Sequence, residues 1–166
     1  MKLRLYIGGL VAFSVLFSSC GKDSEKGESF EPHTYNVSGK VEKGPFVSGS
    51  TITIQPMDSK LQVRGDFYSF TIQDDMGNFS FGSKLFEAPY AELTANGYFF
   101  NEVEGELSSG TLSLRALVDL SDKTTVNVNV LTHLTYIIHS GFISGYQNRY
   151  GDNLKPPTNV YHRMTA

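Results

Sequence analysis

From Thr34 onward the chain alternates between apolar and polar residues with a period of two. In "YNVSGKV", Tyr35, Val37, Gly39 and Val41 share one face, and in "STITIQ", Ile52 and Ile54 oppose Thr51, Thr53 and Gln55. The stretches "FYSFTIQ", "NFSFG", "YAELTA" and "TLSLRALVDL" repeat the device. Successive strand side chains point to opposite faces, so this is the pattern of half-buried strands. The turn-rich segments "KGPFVSG", "DDMGN", "EAPY" and "ANGY" bound them. Six or seven short strands, spaced by roughly ten residues, predict a mainly β fold, an antiparallel β-sandwich over residues 34–124. No helical period competes before residue 125.

The character changes after Thr124. "TVNVNVLTHLTYIIHSGFISGY" starts as an alternating strand and then places Val130, Leu131, Leu134, Ile137 and Ile138 at spacings of three and four. Asn129 suits an N-cap, where its side-chain oxygen accepts from an unpaired backbone N–H. Gly141 is expected to stop or weaken the helix after about three turns. Residues 125–146 thus read as a strand end and a short C-terminal helix. A helix that short is marginal in water, so its apolar stripe is expected to pack on the sandwich. Phe142, Ile143 and Tyr146 then have no further helix to meet, so apolar side chains near Phe142 should be exposed or covered by a partner. Residues 147–166, polar and containing Pro156 and Pro157, read as a poorly ordered tail.

The N-terminus follows different rules. Lys2 and Arg4 precede Leu5 to Phe17, a 13-residue stretch without charge. A membrane-spanning helix needs about 20 apolar residues, so this stretch is too short. With Ser18 and Ser19 at its end it has the layout of a signal peptide over residues 1–19. The segment ending in Cys20 and Gly21 resembles the bacterial lipobox, although Phe17 stands where Leu is usual. The resemblance implies that Cys20 is diacylated on sulfur and begins the mature chain. Each buried methylene contributes about 0.8 kcal/mol, so two or three acyl chains hold a protein firmly to a membrane. Cys20 is the only cysteine, which leaves no intramolecular disulfide. Residues 20–33 are almost free of large apolar side chains and read as a flexible tether. Lys22, Asp23 and Glu25 resemble the export signal that follows the lipidated cysteine in Bacteroidetes-type bacteria. That implies a lipid-anchored outer-membrane protein, with surface exposure favoured over a periplasmic location.

Composition narrows the partners. Removing residues 1–19 from the 166 leaves 147 and takes away Lys2 and Arg4, so the formal charge of −3 becomes −5. A mildly acidic domain argues against nucleic acid, whose binders cluster Lys and Arg against phosphate. The length fits one core.

Two stretches together resemble a known group. "VSGKVEKGPFVSGSTITIQ" followed by "TIQDDMGNFSF" is similar to the opening of carboxypeptidase-regulatory-like and related prealbumin-type β domains. There a turn with Asp, Gly and Phe carries the chain between strands. Thr71, Asp74, Gly77, Phe79 and Phe81 supply that turn here, with an extra Asp75. "ANGYFFNEVEGELSSGTLSLRALVDL" and "VNVNVLTHL" look like uncharacterised bacterial lipoproteins with the same domain, in which a longer helical region follows. The resemblance spans Val37 to about Leu134 and carries no activity with it.

Candidate chemistry is sparse. Asp74, Asp75 and Asn78 around Gly77 suggest calcium, but six to eight oxygens are needed and a tight hairpin explains the same residues. His133 and His139 are six apart, whereas helical zinc pairs prefer a spacing of four; His33 and His162 fall in segments expected to be unordered. Glu102, Glu104 and Glu106 offer acids for glycoside hydrolysis, which needs two carboxylates facing each other about 5–9 Å apart. Tyr98, Phe99 and Phe100 cannot all bury on one side of a strand. Either the helix after Asn129 covers them, the favoured arrangement, or an aromatic is exposed to stack on a glycan or meet an envelope protein. The chain therefore reads as a non-enzymatic binding or spacer module, with no metal or cofactor expected. The alternative is a glycan-directed envelope hydrolase using surface carboxylates such as Glu102 and Glu104.

Overall fold

A computed structural model describes residues 30–150. The residues read as a signal peptide, Cys20, most of the segment read as a tether and residues 151–166 lie outside the described residues. The fold is mainly β, built as an antiparallel sandwich with one C-terminal helix. One sheet has the order β4 (Asn78–Phe86), β1 (His33–Glu42), β9 (Val128–Asn129), the last pair being parallel. The other runs β3 (Tyr68–Thr71), β2 (Thr51–Met57), β5 (Tyr90–Gly97), β8 (Leu112–Asp119), antiparallel throughout. Between β5 and β8 a small hairpin, β6 (Phe100–Asn101) and β7 (Glu106–Leu107), projects from the sandwich.

The alternation read from the sequence sets the core. Val37 and Val41 of β1 meet Ile52 and Ile54 of β2, Leu93 of β5 and Leu114 of β8 in one apolar cluster. Phe46 and Ile72, on the connections, close it from the ends. Burial of each such side chain contributes about 1.5–3 kcal/mol, and this is what holds the two sheets face to face.

One irregularity adjusts the pattern. Val37 pairs with Gly82 but Ser38 pairs with Ser80, leaving Phe81 as an extra residue on β4. A bulge of this kind shifts which residues face inward. Before it, Phe79 and Phe81 are buried; after it, the parity switches and Phe86 is buried instead. Gly82, with φ +60°, supplies the conformation at the shift.

The C-terminal helix departs from expectation in length and in orientation. Helix α1 spans Val130–Tyr150, twenty-one residues, and passes straight through Gly141. Its start is as read: Asn129 Oδ1 accepts from Thr132 N–H at 2.9 Å, and Thr132 Oγ1 accepts from Asn129 N–H at 2.8 Å. This reciprocal pair satisfies two backbone donors at the helix start. The cost of an interior glycine, about 1 kcal/mol, is offset by the far turns, where buried Ile143 joins a second cluster with Met57, Leu61, Ala88 and Tyr90.

The stripe Leu131, Leu134, Ile137 and Ile138 does not cover the sandwich. These side chains remain 73%, 52%, 52% and 71% exposed. The face that packs carries His133, Tyr136, His139 and Ile143. The reason lies in β8, which is the edge strand of its sheet. An uncovered edge leaves backbone groups unpaired, and here the Arg115 N–H donates to His133 Nδ1 at 3.1 Å. The Arg115 guanidinium donates to Tyr136 Oη at 2.9 Å. A strand edge asks for polar partners, and the helix turns its His and Tyr side toward it.

Order also begins earlier than the tether reading implied. Phe30 packs edge-on against Tyr90 at 5.8 Å, and His33 is the first residue of β1, its ring 5.0 Å from that of Tyr35. This aromatic contact holds the start of the described residues against β5.

Replacing Asn129 by Ala removes the cap and should lower stability by about 1 kcal/mol. Thermal unfolding followed by circular dichroism should show a melting temperature lower by about 3–6 °C.

Candidate functional site

The aromatic run after β5 is held by its backbone. Tyr98 C=O accepts from Val47 N–H at 3.0 Å, and Phe100 N–H donates to Pro45 C=O at 2.9 Å. Phe99 is fixed between them: its N–H donates to Ser108 Oγ at 3.2 Å and its C=O accepts from Ser108 N–H at 2.9 Å. Gly44 makes this docking possible. Its φ is +79°, and a Cβ there would lie 1.9 Å from the Phe100 carbonyl oxygen.

These bonds decide where the rings go. Phe99 is buried, stacked on Phe46 with centroids 6.2 Å apart, and Lys43 Nζ lies 4.5 Å above its ring. Tyr98 and Phe100 point the other way and stay 44% and 41% exposed. The expectation that the helix covers this cluster is therefore corrected: α1 packs along β8 and β9, and Phe99 is buried by Phe46 instead. Leu107, paired with Phe100 across the hairpin, and Val103 at its tip are also exposed. The result is a small apolar surface on a rigid mount.

Glu102, Glu104 and Glu106 surround the hairpin tip and are all exposed. Glu104 Oε2 accepts from Asn101 Nδ2 at 2.6 Å, while Asn101 Oδ1 accepts from Val103 N–H at 3.2 Å. This carboxylate helps to shape the turn.

The Asp74 loop is a self-satisfied turn. Asp74 Oδ1 accepts from the N–H groups of Met76 and Asn78 at 3.0 and 3.1 Å, and Oδ2 from the Asn78 amide at 2.8 Å. Those donors, the Asn78 side chain first and its N–H next, hold the Asp74 carboxyl below its ordinary value. Asp75 turns away to accept from Ser48 N–H at 3.0 Å. Gly77, at φ +74°, has no room for a side chain, since a Cβ would lie 2.4 Å from Val41 O.

The helix histidines serve the packing. His133 Nδ1 accepts from β8, and His139, itself buried, donates from Nδ1 to the Thr135 carbonyl at 2.8 Å. Among the described residues no three His, Cys, Asp or Glu side chains cluster closely enough to hold a metal ion.

A groove that the sequence did not signal lies at the other end of β5, between the β2–β3 loop and β4. Pro32, Pro56, Arg64, Asp66, Tyr68 and Leu85 line a space of about 240 Å³. That is smaller than the roughly 300–1,000 Å³ of a small-molecule site. Asp58 organises the loop: Oδ1 accepts from Lys60 and Gln62 N–H at 2.8 and 3.0 Å, and Oδ2 from Arg64 Nε at 2.9 Å. Leu61 adopts φ 60° there, with its side chain buried in the second cluster. A left-handed leucine leaves no periodic trace in a sequence.

No protein family, curated protein or solved structure matches this chain.

The Asp74 turn generates a pH prediction. Because its folded pKa is lowered, its stabilising contribution is fully present above the ordinary carboxylate value and is lost as pH falls through the folded one. Asp74→Asn keeps the shape and removes the titration. Denaturant unfolding between about pH 4.5 and 2.5 should show a shallower loss of stability for the variant than for the wild type. Equal slopes would mean that the carboxylate does not strengthen the turn.

Proposed function

We propose that this protein is a lipid-anchored cell-envelope protein of the outer membrane, facing the cell surface, whose prealbumin-type β-sandwich is a non-enzymatic binding module. Its ligand is a glycan or another envelope protein, and its contact surface is the hairpin bearing Tyr98 and Phe100. Cys20, at the end of a short apolar segment, supports the anchor. The observation that carries the binding assignment is the pairing of a buried Phe99 with exposed Tyr98 and Phe100. Aromatic rings held by backbone hydrogen bonds lose little freedom on contact with a ligand, which favours affinity.

The position of the hairpin fits that role. Phe30, the last link to the tether, packs on Tyr90 at the start of β5, whereas Tyr98 follows Gly97 at its end. A strand advances about 3.4 Å per residue, so roughly 25 Å separates the two. The ten residues from Cys20 to Phe30 reach at most about 35 Å. The tether would join the domain at the groove end, with enough reach to leave the aromatic hairpin at the opposite end free to meet a ligand.

Two experiments test the reading. Cys20→Ser should prevent acylation and move the protein out of the membrane fraction; unchanged fractionation would rule out the lipid anchor. For the binding surface, the double variant Tyr98→Ser/Phe100→Ser should keep the wild-type melting temperature. Its capture of ligand on a glycan array or from outer-membrane extracts should fall at least about thirtyfold, as expected when two aromatic anchors are lost. Undiminished capture would place the contact surface elsewhere.

A further inference from the structure

The outer face of α1 is unlike the solvent face of an ordinary surface helix. At about 100° per residue, Val130, Leu134, Ile137, Ile138, Gly141 and Gly145 fall within one arc of about 100°, with Leu131 at its border. The five apolar side chains in this set are 40% to 73% exposed. From Val130 to Asn148 the helix carries no Asp, Glu, Lys or Arg. A large exposed apolar patch marks a surface that meets another molecule, and a helix has two faces to cover. Here β8 covers one.

The two glycines sharpen the point. Each costs about 1 kcal/mol relative to alanine inside a helix. Neither is required by packing within the chain, since a Cβ at Gly141 or Gly145 would meet nothing within 4 Å among the described residues. Glycines four apart at the centre of an apolar helix face make a shallow groove. They allow a second helix to approach closer than the usual 8–10 Å between axes. The ridge formed by Val130, Leu134 and Ile138 lies on the same face, immediately N-terminal to that groove. Ridge and groove on one helix make the face complementary to itself, which is what a two-fold interface requires.

We propose that this face pairs antiparallel with the same face of a second copy, so that the ridge of each α1 helix meets Gly141 and Gly145 of the other. The exposed parts of the five apolar side chains amount to roughly 500 Å² per copy, so a symmetric pair hides at most about 1,000 Å² of them, the area that a specific interface has to clear. No charge is buried in doing so. The same lack of charge argues against a membrane surface, since helices that lie on lipid present Lys and Arg along the polar face.

Cysteine crosslinking of the full chain in bacterial cells tests the pairing. A Cys20→Ser background makes each introduced thiol the only one and removes any dependence on lipid anchoring. Gly141→Cys, placed on the paired face, should form a disulfide-linked homodimer about tenfold faster than Asp122→Cys on an exposed loop, because the interface raises the local thiol concentration. Adding Ile138→Asp, a change at an exposed position, should return the rate to the Asp122→Cys level while leaving the circular dichroism spectrum unchanged. Equal rates for Gly141→Cys and Asp122→Cys would overturn the proposal. So would a crosslinked product containing one copy and a different protein. Flotation on phosphatidylcholine vesicles that Ile138→Asp abolishes would reassign the face to lipid and also overturn it.

Discussion

Val41 is where the separate parts of this molecule are joined. Its side chain has no exposure, and its N–H donates to the Gly77 carbonyl at 2.9 Å. Its own carbonyl accepts from Phe46 N–H at 3.2 Å, and it pairs with Val128 of β9. The end of β1, the Asp74 turn, the β1–β2 connection and the strand leading to α1 therefore meet at one residue. Phe46 carries the constraint onward to Phe99, and Val128 carries it to the capped helix start. Each neighbour is placed by backbone hydrogen bonds that exclude water, so a shift of one segment would leave buried polar groups unpaired in several others.

The two ends of the sandwich solve different problems. At the β6–β7 end, backbone bonding to residues 45–47 fixes one aromatic inward and two outward. At the other end, Phe30, Tyr90, Leu61 and Ile143 form a second small core outside the sandwich, joining the N-terminal segment, a strained loop and the helix. The N-terminal segment and the exposed aromatic surface thereby lie at opposite ends of the sandwich. This separation follows from β5 running the full height of the domain between the two.

The helix shows how a competition between burial and hydrogen bonding is decided. Its larger apolar face had more to gain from burial, yet the edge of β8 offered an unpaired N–H and a guanidinium. An unsatisfied buried donor costs about 1–3 kcal/mol. Histidine and tyrosine could meet those groups, and leucine and isoleucine could not. Arg115 is tied in further by Glu92 Oε1 at 3.4 Å, so both partners across the seam are oriented.

The strands were legible in the sequence because alternation has only one good solution when one face is buried. Residues such as Val37, Ile52, Ile54, Leu93 and Leu114 lie inward as their spacing says, and Asn129 caps the helix through chemistry confined to four residues. The Asp74 turn was legible for the same reason, since its bonds close within five positions. Tertiary structure decided the rest. The helix face follows from Arg115, eighteen residues away, and the inward turn of Phe99 follows from Ser108 and Pro45. The parity switch after Phe81 depends on a register shift against β1, and the groove depends on the meeting of the β2–β3 loop with the end of β4. A sequence records what a residue prefers with its near neighbours; which distant donor, edge or ring it must satisfy is fixed only when the chain has folded back on itself.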